Sequence, residues 1–177
     1  INGAPLKPSK PSLSSTSPAS QTIVSQNNNG NGLAINYHQY RYSADGGASW
    51  TEVAYTVGGS WTFAVPDQTK TYSFSTRAYN SSGWGAWSDA QYGIPGKPPT
   101  VTTNTPVGLK ITVYSGQSIG SGMQEYYVSA SKDGGATWET PQPMGLDREY
   151  QYVGLSGGKN YLFRVRSIND VGYSAYT

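Results

Sequence analysis

Residues 160–168, NYLFRVRSI, carry the clearest periodicity in the chain. In an extended strand Tyr161, Phe163 and Val165 fall on one side, and Arg164 and Arg166 fall on the other. The earlier stretch KTYSFSTRAYN (70–80) repeats the pattern, with Tyr72, Phe74 and Thr76 inward and Arg77 in the place of Arg166. Alternation of this kind predicts short strands through the second half of the chain, at 100–104, 109–115, 125–131, 136–140, 150–154, 160–168 and 173–177. No apolar segment holds a 3.6-residue period over ten positions, and Gly or Pro interrupts nearly every window long enough for a helix. The expected fold class is all-β.

The two halves are copies. Asp45 and Asp133 are 88 positions apart (133 − 45), as are PSL (11–13) and PTV (99–101). KTYSFSTRAYNSSGWGAWS (70–88) matches KNYLFRVRSINDVGYSAYT (159–177) at an offset of 89 (159 − 70), so one residue is inserted between the blocks. A unit of this length is large enough to bury its own core, which favours tandem domains over a stacked solenoid. GIPGKPP (93–99) is the seam, because its two glycines and three prolines cannot continue a strand ladder. The expected organisation is a linker from an upstream region at 1–9, a first domain at 10–94, a Gly/Pro linker at 95–98 and a second domain at 99–177. INGAPLKPSKP at the start reads as a linker, and the chain is expected to be a segment of a longer polypeptide.

The pattern Tyr-x-Phe-x-x-Arg-x-x-Asn-x-x-Gly occurs at 72–83 and again at 161–172. It resembles the sixth strand and following turn of a fibronectin type III domain. The Pro-led first strand and the size of each copy extend the likeness over nearly the whole chain, twice. The resemblance implies two tandem Ig-like/fibronectin type III β-sandwiches of about seven strands each, with Tyr72 and Tyr161 as tyrosine corners bonded to nearby backbone. One departure stands out: where the family has a Trp in the second strand, this chain has Tyr114 and Gln26, and NNNGNG (27–32) is inserted in the first copy.

Composition narrows the chemistry. The 177 residues include no cysteine, so neither disulfides nor thiolate metal sites are available. A formal charge of +2 with 12% charged residues, and no basic run, argues against nucleic acid as a partner. The longest apolar stretches are too short to insert in a membrane.

SADGGASW (43–50) and SKDGGATW (131–138) fit Ser-x-Asp-x-Gly-x-x-Trp, which resembles the Asp-box on sialidase blades. A hairpin explains the motif more simply. Asp-Gly-Gly tolerates the positive φ of a tight turn, Asp45 and Asp133 accept bonds from amides one and two residues on, and Trp50 and Trp138 fold over the turn as the next strand opens. A sialidase would need a propeller, an arginine cluster and a Tyr–Glu pair, for which two sandwiches leave no room.

Other catalytic readings are thin. Six Asp and four Glu are spread singly, whereas a glycosidase needs two facing carboxylates. Glu52 and Glu139 are out of register by one between the copies, and His38 is a lone histidine read as a solvated strand residue. No phosphate loop, nucleophile motif, metal cluster or cofactor site is expected, and the chain is read as not an enzyme.

GWGAWSD (83–89) resembles the Trp-Ser-x-Trp-Ser element of cytokine-receptor fibronectin domains, whose Trp rings interleave with arginines of the neighbouring strand, here Arg77. GYSAYT offers Tyr173 and Tyr176 near Arg166 as the softened second copy. Such ladders stiffen a sheet face by about 0.5–1 kcal/mol per contact. Alternatively Trp61, Trp84, Trp87, Tyr173 and Tyr176 present rings to a ligand, with the Asn-rich loop adding hydrogen bonds. NSS (80–82) is a glycosylation sequon. The expected role is a structural or interaction module (spacer, surface decoration or adhesion) of an extracellular bacterial protein or a bacteriophage tail. Its partners would be other domains of the parent protein, a structural protein or a cell-surface glycan. The alternative is a carbohydrate-binding accessory region of a secreted glycoside hydrolase.

Overall fold

The structure, a computed structural model, describes residues 2–53 and 55–177. The chain divides into two units, the first comprising residues 1–67 and 71–94 and the second residues 68–70 and 95–177. All regular structure among the described residues is β.

In the first unit β1 (Ser9–Thr16), β2 (Ser20–Gln26) and β5 (Ser60–Ala64) form one antiparallel sheet in the order β1-β2-β5. β4 (Thr51–Glu52), β3 (Tyr37–Ser43), β6 (Ser73–Asn80) and β7 (Gly83–Trp84) form the other, in that order, and β8 (Gln91–Tyr92) also pairs with β6. Because strand side chains alternate between faces, each sheet turns one apolar face inward. Ile23 and Phe63 from the first sheet meet Tyr40 and Phe74 from the second, with Tyr72 closing the same cluster.

The second unit repeats this with β9 (Val101–Thr103), β10 (Ile111–Ser115) and β13 (Glu149–Tyr152) opposite β11 (Met123–Ser131), β12 (Gln142–Gly145) and β14 (Leu162–Asn169). Val113 and Tyr152 pack against Tyr126, Val128, Ala130, Met144 and Val165. The all-β class and the pair of two-sheet sandwiches expected from the sequence are what the structure has.

Two expected strands differ. Residues 136–140 form no strand: 136–137 bend out of the turn and 138–140 are irregular, with Glu139 N bonded to Ala130 O, and the strand that pairs with β11 starts later, at Gln142. Pro141 lacks the N–H that a continuous ladder needs, which displaces the strand along the chain. The terminal stretch 173–177 is not a strand either, although Ser174 N and Thr177 N donate to Ser167 O and Val165 O. The Ser174 and Thr177 hydroxyls accept from Ser167 N and Val165 N, taking the places that backbone carbonyls hold in a regular ladder. Ser88 does the same in the first unit, accepting from Thr76 N at 3.0 Å and donating its own amide to Thr76 O.

The Asn-rich insertion is occupied. Asn29 O and Asn31 O accept from Leu6 N and Gly3 N, and Asn31 Nδ2 donates to Ala4 O. These contacts leave the loop with fewer groups to offer a sugar. Asn80, the sequon residue, is fully buried and donates from Nδ2 to Gly3 O at 2.8 Å and to Gly30 O at 2.7 Å. A glycan cannot be carried on an amide nitrogen so enclosed. Gly85 is required by the same packing, since a Cβ there would lie 2.4 Å from Pro5 O.

Candidate functional site

On the outward face of the β3–β6 sheet, aromatic rings and guanidinium groups follow one another in contact. The order is Trp50, Arg41, Trp87, Arg77, Trp84, with guanidinium-to-ring distances of 4.3, 4.4, 4.4 and 4.8 Å. The second unit builds the same series from Trp138, Arg164, Tyr176, Arg166 and Tyr173, at 4.1, 4.0, 5.0 and 3.8 Å. Positive charge against the π face is favourable, and more so where water is partly excluded. Burial costs Arg41 part of its hydration, and Glu52 offsets some of that cost. Arg77 is fixed further by Gln39, whose Oε1 accepts from its Nε and Nη2, and by Glu52 at 3.5 Å.

The spacing of the aromatics follows from the backbone. In the first unit Gly85 N and Ser88 N bond back to β6 at Ala78 O and Thr76 O. This lays the segment along the sheet edge so that Trp84 and Trp87 both reach over it. Ser174 N and Thr177 N repeat the arrangement on β14 for Tyr173 and Tyr176.

Sequence reasoning placed Arg77 and Arg166 beside these rings but missed Arg41 and left Arg164 without a ring. The register explains why. Arg41 faces Ser75 across β3–β6, whereas Ser129 faces Arg164 across β11–β14. The arginine therefore comes from the third strand in one copy and the sixth in the other, with serine opposite in both. Alignment of the copies cannot reveal a ladder position that changes strands. Arg41→Ser should lower stability by about 1–2 kcal/mol, from the loss of two ring contacts. Adding Ser75→Arg should restore more than half of it, measured by denaturant unfolding of both variants. An additive or larger loss in the double variant would mean that the two positions are not interchangeable.

Trp50 and Trp138 also have two roles. Gly46, Gly47, Gly134 and Gly135 take the positive φ expected of the turn, and Trp138 Nε1 donates to Gly135 O at 3.1 Å. The turn bonds differ in detail from expectation. Asp45 Oδ1 accepts from the amide four residues on, Ser49 N at 2.9 Å, and Asp133 Oδ1 likewise from Thr137 N at 2.9 Å. Ser43 and Ser131 complete the turns, each donating to its Asp and accepting from Gly47 N or Gly135 N. The Ser49 hydroxyl and amide hold the Asp45 carboxyl well below the usual carboxylate range. The Thr137 hydroxyl and amide bring Asp133 down to about 2. Both carboxylates are spent on local turn structure.

Trp61 departs from its expected place. It lies on β5 beneath the sandwich, with ring centroids 5.8 Å from Tyr40 and 5.5 Å from Phe63, so it belongs to the core rather than to a ligand face. The odd-numbered residues of β5 point inward, which directs Trp61 and Phe63 together to the interior. This ring lies on the strand next to β2, where it faces Ile23. Tyr114, at the other expected Trp position, is 40% exposed. Tyr161 accepts a bond from Ser156 N at 3.1 Å, and the Tyr72 hydroxyl is engaged by the backbone of Asp67, five residues upstream in each case. His38 is buried rather than solvated, and desolvation lowers its pKa. Glu52 pairs with Arg77, and Glu139 lies 3.8 Å from Lys132.

Among the described residues, no group of three or more His, Cys, Asp or Glu is gathered as a metal site, and no helix is long and apolar enough to cross a membrane.

No family description matches the chain. Among solved structures it is similar to the FN1–FN3 domains of chicken CNTN1, at 16% identity and a TM-score of 0.43 over 99% of this chain and 65% of that one. It is also similar to a two-domain fibronectin type III segment of chicken tenascin, at 16% identity and a TM-score of 0.44 over 96% of this chain and 95% of that one.

Proposed function

We propose that the chain is a non-catalytic structural and interaction module, two sandwiches serving as spacer, surface decoration or adhesion element of a larger extracellular protein. The setting that best suits a cysteine-free, Ser-, Thr-, Asn- and Gly-rich surface is a bacteriophage tail or a bacterial cell surface. One observation carries the reading. In both copies the rings of the ladder, Trp50, Trp84 and Trp87 in one and Trp138, Tyr173 and Tyr176 in the other, are covered by arginines in the order ring, guanidinium, ring, and this same design recurs with different residues. A face whose rings are already capped by side chains of its own sheet is built for rigidity. A carbohydrate platform needs rings left open in a line.

Further support comes from the carboxylates. Asp45 and Asp133 close turns and Glu52 binds Arg77, so these three acids are engaged in local structure rather than set facing a second acid. The reading also accounts for the buried Asn80 and the committed Asn-rich loop, which hold the first unit together.

Sedimentation of the chain with insoluble bacterial cell-wall polysaccharide provides the test, with Trp87→Ala run alongside. The expected result is no saturable binding by either protein and a lower melting temperature for the variant. Saturable binding by the parent that Trp87→Ala abolishes would replace this reading with that of a carbohydrate-binding accessory region.

A further inference from the structure

Beyond Trp84 the first unit's ladder continues into a feature that the second unit lacks. Tyr37 on β3 faces Tyr79 on β6, and Tyr79 faces Trp84 on β7, so three neighbouring strands set three rings in a row. The segment after β4 adds Tyr55. The four rings close a circuit: Tyr37 to Tyr55 is 5.0 Å between centroids, Tyr55 to Trp84 is 6.1 Å, Trp84 to Tyr79 is 5.0 Å and Tyr79 to Tyr37 is 5.9 Å. Among the described residues, these four line an open pocket of about 240 Å³. That space is smaller than a drug-sized site and suits a single small head group.

Architecture does not account for it. The repeat offsets carry Tyr37 to Glu125 and Tyr79 to Ile168, yet the second unit keeps its own arginine ladder intact. Tyr55 is 58% exposed and Tyr37 is 36% exposed, so these rings contribute little to the core.

Geometry selects the ligand class. Adjacent rings are inclined to each other by 62°, 60°, 55° and 38°, which makes walls rather than the flat platform on which a sugar ring stacks. The lining offers phenol hydroxyls but no carboxylate, amide or guanidinium to satisfy a sugar's hydroxyl groups. A quaternary ammonium needs no hydrogen-bond partner and is attracted by several π faces at once. Arg77 also rests on Trp84 at 4.8 Å, but its charge is engaged by Glu52 and Gln39. We propose that Tyr37, Tyr55, Tyr79 and Trp84 form a cage for a trimethylammonium group such as that of choline. This goes beyond the architectural role of the ladder and does not depend on it.

The test titrates the full chain with choline chloride and, in parallel, with 3,3-dimethyl-1-butanol, the neutral carbon isostere, following Trp fluorescence and heat. Saturable choline binding, with the isostere and Tyr55→Leu each weaker by about tenfold, is the expected result. Leucine keeps apolar bulk while removing the π face, and an unchanged melting temperature would exclude misfolding at this exposed position. Equal binding of choline and isostere would overturn the proposal in favour of a plain apolar pocket. Absence of choline binding at tens of millimolar, or saturation by N-acetylglucosamine instead, would overturn it too. Vesicles of phosphatidylcholine, compared with phosphatidylglycerol, distinguish the source. Retention on the former alone would indicate a lipid head group, and free choline binding without retention would indicate a soluble or polymer-borne one.

Discussion

Trp87→Ala is expected to destabilise the first unit by about 2–4 kcal/mol, which for a domain of this size lowers its melting temperature by roughly 10–20 °C. Trp87 is the middle ring of the series, with the Arg41 and Arg77 guanidinium groups each 4.4 Å from it. Each contact contributes about 0.5–1 kcal/mol when exposed and about 2 when desolvated. Loss of the ring also uncovers the arginine stems that pack beneath it. The loss should be non-additive with Arg77→Ala, since removing either partner breaks the same contact. Calorimetry of the whole chain, with the two single variants and the double, measures both quantities. A fall of less than about 2 °C would show the ladder to be energetically idle.

Asn80→Ala should cost the same unit about 2–4 kcal/mol by a different route. The side chain is fully buried and makes three bonds: Nδ2 donates to Gly3 O and Gly30 O, and Oδ1 accepts from Ser82 N at 2.9 Å. Alanine removes three hydrogen bonds of about 1 kcal/mol each, although Gly30 O keeps Leu33 N and the exposed Ser82 amide can turn to water. Water entering the vacated space recovers part of that. Amide exchange at Gly3 and Leu6 should accelerate in the variant, because the segment before β1 loses one of its ties to the loop at Asn29 and Asn31. Asn169 in the second unit is likewise buried and bonds Ser121 O, Val171 N and Gly172 N, so Asn169→Ala should destabilise that unit as well. Unchanged exchange at Gly3 and Leu6 would show that residues 3–6 are held without Asn80.

Asn80 marks how far reading along the chain can go. The repeated Tyr-x-Phe-x-x-Arg-x-x-Asn-x-x-Gly pattern singled the residue out, but its two carbonyl partners lie 77 and 50 positions away. Only folding brings Gly3 and Gly30 to it. The same limit applied to Trp61, whose aromatic character was plain and whose direction depended on which face of β5 the sandwich closed over. It applied equally to the cage, where Tyr37, Tyr55, Tyr79 and Trp84 share no periodicity and meet through strand pairing.

What the chain's own order determined is the content of each copy. Period-two alternation set the inward and outward faces of β6 and β14, Gly and Pro set the breaks, and the Asp-Gly-Gly turns appeared where their positive φ demanded them. These are local consequences of backbone geometry, and they read directly from neighbouring residues. Tertiary structure alone decided which strand supplies each arginine of the ladder, because a rung needs only a guanidinium at that point on the sheet. Arg41 on β3 and Arg164 on β14 supply it equally well, each with a serine facing it across the ladder of hydrogen bonds.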